Sequence, residues 1–137
     1  MITVKFAATV PYSQPTKKHA LGPYLPVRLR RGGVFYDTLG LVDSGADSSM
    51  FNTEHAKALG LALNPAHVEK GSGVGGDAEM WIHTIELVVA GRTIKAEVAF
   101  SPTCPEEFGL LGRADFFERF RIGIEQRERR FHYHALP

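Results

Sequence analysis

Apolar and polar positions alternate from Leu25 to Leu29, where Leu25, Val27 and Leu29 are separated by Pro26 and Arg28. A period of two marks a strand with one buried face. Arg31-Gly32-Gly33 then turns the chain and Val34-Phe35-Tyr36 returns, which predicts a hairpin. Residues 37–40 carry the returning strand into the apolar pair Leu41-Val42, which runs directly into Asp43. Residues 80–89 and 93–100 predict a second hairpin, joined at Ala90-Gly91-Arg92. Residues 2–10 read as a first strand stopped by Pro11, and residues 12–23 as loop. Residues 122–125 and 131–134 read as closing strands about a charged turn.

Two short helices interrupt this pattern. Residues 54–59 follow a capping residue, Asn52 or Thr53, place Glu54 in the first turn and stop at Gly60. Residues 113–120 follow the strand-like run 108–112 and set Phe116, Phe117 and Phe120 on one helical face. Residues 61–70 read as irregular around Pro65, and residues 71–76, with four glycines, as a mobile loop. Each half thus has one plan: hairpin, apolar strand, glycine turn, short helix.

Composition narrows the picture. With 137 residues and 15.1 kDa the chain fits one domain, residues 1–137, and needs no disulfide to fold. Its 14 glycines and 8 prolines, scattered among short apolar runs, favour a mainly β fold. Sixteen basic and fifteen acidic residues leave a formal charge of +1, too small a field to draw in nucleic acid or a membrane surface. No run approaches a membrane span, the start lacks the pattern of an export signal, and the single cysteine, Cys104, suits a reducing compartment. A soluble, cytoplasmic protein is the expectation.

Candidate chemistry centres on Asp43. Asp-Ser-Gly is ordinary turn chemistry, so a purely structural role is one reading. The other is catalytic, because two carboxylates held side by side share one proton and so supply an acid and a base at the same pH. Such a pair activates water and protonates a scissile carbonyl without a covalent intermediate. Ser44 can hydrogen-bond across the base of such a site, Gly45 permits a tight turn, and Ala46 leaves room for substrate. Competing motifs are weaker. Residues 71–76 satisfy G-x-G-x-x-G but lack the flanking strand, helix and repeated βαβ units of a dinucleotide site. Asp43 and Asp47 offer few oxygen donors for a hard cation, and His132 and His134 lack a third zinc ligand. Cys104 has no identifiable histidine partner. No cofactor and no metal are expected.

Leu41-Val42-Asp43-Ser44-Gly45-Ala46, followed by Asp47, resembles the signature of the retropepsin-like aspartic proteases, the single-domain relatives of the retroviral proteases. Residues 72–76 resemble that family's glycine-rich flap tip, and Leu110-Leu111-Gly112-Arg113 resembles the motif before its C-terminal helix. The three motifs stand in the family's order and cover about residues 25–125, with longer ends on either side. The resemblance implies a closed, mostly antiparallel β barrel-like acid-protease fold. It implies Asp43 as catalytic acid or base, with Ser44 and Gly45 holding the dyad. It also implies Ala46, Asp47, Gly73, Val74 and Gly75 as substrate-binding residues, and Leu111, Gly112 and Arg113 as structural support, with Asp47 pairing to Arg113. Only one Asp-Ser-Gly exists in the chain, since Asp37-Thr38-Leu39-Gly40 has Leu39 where the glycine must be. The second carboxylate must therefore come from another copy in a homodimer acting on a peptide or protein substrate. The alternative is a non-catalytic binding or scaffold module that keeps the fold. A third reading confines activity to a larger assembly, or to a chain freed of a terminal extension.

Overall fold

The computed structural model describes residues 1–73 and 76–137. The first half carries β1 (Ala8–Pro11), β2 (Tyr24–Arg31), β3 (Val34–Val42), β4 (Met50–Asn52) and the helix α1 (Thr53–Ala58). The second half carries β5 (Glu69–Gly73), β6 (Gly76–Val89), β7 (Arg92–Ser101), β8 (Gly109–Leu111), β9 (Phe120–Glu125) and β10 (Arg130–Ala135). A 3-10 turn lies at Pro65–His67 and a π-helical turn at Arg113–Phe117.

Pairing in the order β2-β3-β8-β4-β7-β6, with β6 returning to β2, closes a six-stranded barrel. The alternation read from the sequence is what fills it. Val27 faces Val89 and Leu29 faces Leu87 across the closing seam, and all four side chains are buried. Ile94, Ala96 and Val98 of β7 join them, with Phe51, Phe100 and Leu111 beside them. Each such aliphatic side chain contributes about 1.5–3 kcal/mol on burial, more than any exposed ion pair on the surface, so these strands align by their apolar faces.

Most of the pairing is antiparallel, but β3–β8 and β4–β7 run parallel. Parallel neighbours end at the same edge of a sheet, so the chain leaves β3 at Val42 and β8 at Leu111 side by side. That single feature brings the Asp43 turn and the Gly112 turn together.

A second sheet, β1-β10-β9, is built from the chain ends. Residues 2–10 were expected to form one strand, yet only Ala8–Pro11 pairs as a strand with β10, extended by one bond from Ala7 N–H to Tyr133 O at 3.1 Å, while Met1, Ile2 and Val4 stay exposed. The strand does stop at Pro11, which is itself its last residue, because β1 is an edge strand and a missing N–H is tolerated there.

Three more expectations change. Residues 69–73, expected in irregular chain and a mobile loop, form β5, because β6 begins at Gly76 and supplies ladder partners from Met80 to Gly76. The second helix is only a five-residue π-helical turn, in which Gly112 accepts from both Phe116 and Phe117 at 3.1 Å. Phe120 starts β9 instead and stacks on Phe116 at 4.9 Å. Strand β4 was not expected at all. The first helix stands as expected, with the Asn52 side chain capping Glu54 N–H. No helix among the described residues is long and apolar enough to cross a membrane.

Candidate active site

Asp43 follows β3 immediately and its N–H donates to the Leu111 carbonyl at 3.1 Å, tying it to the neighbouring strand end. Its Oδ1 accepts from Gly45 N–H at 2.9 Å, and its carbonyl accepts from Ala46 N–H at 3.2 Å. The turn is therefore closed on its own aspartate. A Cβ on Gly45 would sit 3.1 Å from Asp43 Oδ1, a tight contact that would make the carboxylate shift by a few tenths of an ångström. Ser44 and Gly45 are exposed, and Asp43 and Ala46 half-buried.

The Gly112 turn clamps this loop from below. Arg113 N–H donates to Ala46 O at 2.9 Å and Ala114 N–H to Asp47 O at 2.8 Å. The Arg113 guanidinium reaches across to Ser44 O at 2.6 Å and forms an ion pair with Asp47. That pair lies in water, with Asp47 93% and Arg113 52% exposed, so its Coulomb energy is under about 1 kcal/mol. Its effect is geometric, since one planar side chain fixes two points of the turn.

Beneath the clamp lies a polar network that sequence reasoning missed. Asp115 is 7% exposed, and its carboxylate accepts from Ser49 Oγ at 2.5 Å, Ser49 N–H at 3.2 Å and Phe116 N–H at 2.6 Å. Ser49 Oγ in turn accepts from Gly112 N–H at 3.0 Å. Charge-assisted bonds of this kind are each worth about 1.5–3 kcal/mol, so the buried network and not the surface ion pair supplies the strength of the joint. Gly112 is required here, because a Cβ would come within 2.5 Å of the Ser48 carbonyl oxygen. Nothing local pairs Ser49 with a carboxylate 66 residues away. The signals available were the residue types alone, a buried-side serine and an acid beside a glycine turn.

The turn opens into a cleft of about 800 Å³. Asp43, Gly45, Ala46, Asp47 and Ser48 form its floor, Met50 and Leu110 one wall. Lys70, Gly71 and Met80 of the β5–β6 hairpin form the other. Lys70, Met50 and Met80 were not singled out from the sequence. Gly73 ends β5 opposite Gly76, while Val74 and Gly75 lie outside the described residues. Leu111 is wholly buried behind the turn.

The residues set aside from the sequence have other roles. His132 hydrogen-bonds Glu125 at 2.5 Å and Thr9 at 2.8 Å, on the terminal sheet. Cys104 is buried, which pushes its thiol up to about 12 and leaves almost no thiolate at neutral pH. His55, which has no metal-ligand spacing in the sequence, is 1% exposed; its Nε2 donates to Glu106 O at 2.9 Å and its Nδ1 has no partner.

Comparison with known proteins bears on the family and the fold. The sequence profile described as aspartyl protease matches residues 26–114, more than half of the chain. The fold is similar to a retropepsin-like aspartic protease from Rickettsia conorii, with a TM-score of 0.65 at 17% identity over 92% of this chain and 98% of that one. It is similar also to the EIAV protease in its complex with an inhibitor, with a TM-score of 0.51 at 25% identity over 72% of this chain and 88% of that one. No curated protein matches it in sequence.

Proposed function

The chain belongs to the aspartyl protease family, and from that premise we propose that it is an aspartic endopeptidase whose active form is a dimer of this chain. The observation that carries the reading is the setting of Asp43. Its carboxylate is held by the Gly45 amide at the floor of a cleft, on a turn whose tip, Ser44 and Gly45, faces outward. The other acid on the same floor, Asp47, is engaged by Arg113. A second copy related by two-fold symmetry supplies the missing carboxylate as its own Asp43.

The two carboxylates share one proton. The unprotonated member takes a proton from a water molecule as the water oxygen attacks the peptide carbonyl carbon, and the protonated member gives its proton to the carbonyl oxygen. In the collapse, the member that took the water proton gives it to the amide nitrogen as the C–N bond breaks and the amine leaves, and a hydroxyl of the tetrahedral species returns its proton to the other member as the carboxylic acid forms, so the pair again holds one proton. Ser44 steadies the pair from beneath. Ala46 and Asp47 line the path of an extended peptide that Gly73, at the end of β5, covers from the hairpin side. Arg113, Gly112 and Leu111 hold the turn at the height the reaction needs.

Cleavage of a diverse peptide pool at several pH values, by the wild-type chain and by Asp43→Asn, tests the proposal. The wild type cleaves and the variant, folded to the same extent, does not. Equal cleavage by Asp43→Asn overturns it.

A further inference from the structure

Ser48 lines two hollows at once: the cleft above Asp43 and a second one of about 730 Å³. The boundary is equally thin on β5, where Glu69 borders the second hollow and its neighbour Lys70 the first. Ile82, Lys95 and Glu97 of the β6–β7 hairpin line the second hollow, as do Glu118 and Arg119 beyond the π-helical turn. Asp115 also borders it, but its carboxylate is taken by Ser49 and Phe116.

Five charged residues of this lining remain, and their side chains are not drawn into ion pairs of the kind that occupy several other surface charges. Arg28 is paired with Asp37, Arg30 with Glu86, Lys57 with Glu54 and Arg130 with Glu125. Among the described residues, Glu69, Lys95, Glu97, Glu118 and Arg119 form no ion pair, and all five are exposed. Lys95 also borders a third hollow beside Arg30 and Glu86, so it stands at the far rim. The hollow next to Ser48 is thus lined by three unpaired carboxylates from separate segments, Glu69, Glu97 and Glu118, against two cations, Lys95 at the rim and Arg119 beside Glu118, an excess of one negative charge.

We propose that this hollow continues the substrate cleft and selects polypeptides with a lysine or arginine flanking the cleaved segment. The inference rests on the endopeptidase reading. A peptide lying extended across the Asp43 turn and leaving past Ser48 enters the hollow directly, and alternate side chains of an extended strand point the same way, toward Glu97 or Glu118. Two-fold symmetry of the dimer places one such hollow at each end of the shared cleft. A basic residue is therefore favoured on both sides of the scissile bond.

The experiment uses peptides with one cleavable core and Lys, Ala or Glu scanned through the flanking positions. At one flanking position on each side, kcat/KM for Lys exceeds that for Glu by about two- to five-fold, the range of an exposed ion pair. Glu97→Gln and Glu118→Gln reduce that ratio, and Glu97→Lys inverts it, which a merely misfolded variant does not do. A ratio near one in the wild type, or one unaltered by all three substitutions, overturns the proposal. The same peptides, fluorescently labelled, are titrated against Asp43→Asn at low and high salt. Salt-sensitive preference for Lys there supports the hollow even where no cleavage occurs, so failure of the catalytic reading is told apart from failure of this one. Absence of that preference overturns it.

Discussion

The Asp115 carboxylate accepts the Ser49 hydroxyl at 2.5 Å inside the protein, and the same hydroxyl accepts Gly112 N–H at 3.0 Å. This bond joins the segment leaving the Asp43 turn to the π-helical turn that clamps it.

Replacing Asp115 with alanine strips an acceptor from two buried N–H groups and one hydroxyl. The expected loss of stability is about 3–5 kcal/mol, read from urea unfolding at constant m-value. Asp115→Asn keeps one acceptor and loses about half as much. An alanine variant within about 1 kcal/mol of the wild type shows that the network does not hold the joint.

Arg113→Lys separates geometry from stability. The ion pair to Asp47 is solvent-exposed, so stability falls by no more than about 1 kcal/mol. A lysine cannot hold Ser44 O and Asp47 together, and a turn displaced by an ångström loses roughly 100-fold in kcat/KM. Melting temperature and steady-state kinetics of the same preparation give both numbers.

If each site takes one Asp43 from each copy, an inactive chain poisons an active one. Wild-type chains equilibrated with a three-fold excess of Asp43→Asn retain about a quarter of their activity under random pairing. Activity that stays proportional to the wild-type chains present excludes a shared dyad.

His55 ties stability to pH. Burial depresses its folded-state value below the ordinary 6.5, against smaller opposing contributions from the Glu106 carbonyl and the charges of Glu106 and Glu54. The unfolded chain therefore binds this proton more readily than the folded one, and stability falls as pH drops below about 6.5 toward the folded value. Nδ1 has no acceptor to receive the added proton. His55→Gln, able to keep a donor to Glu106 O, flattens that part of the curve; parallel curves for the two proteins from pH 7 to 5 contradict the assignment.

The two long hairpins, the Asn52 cap and the delivery of Asp43 by Leu41-Val42 are legible in the chain because each depends on neighbours in sequence. Alternation shows which face is buried, and turn or cap chemistry needs only a few adjacent residues. The ion pair of Asp47 with Arg113 was legible only through resemblance to a family. Strand β4, three residues long, is too short to show a period. Strand β5 was hidden because glycines carry no pattern, and its order comes from the ladder it shares with β6.

What the sequence determined by itself is therefore an acidic turn at the end of an apolar strand, present once per chain. What the tertiary structure decided is where that turn sits. The parallel pairing of β3 with β8 brings Gly112 beneath Asp43, and the Ser49–Asp115 bond locks the two turns together. Both are contacts between distant segments, selected by closure of the barrel, and no local pattern of residues specifies the partner of either.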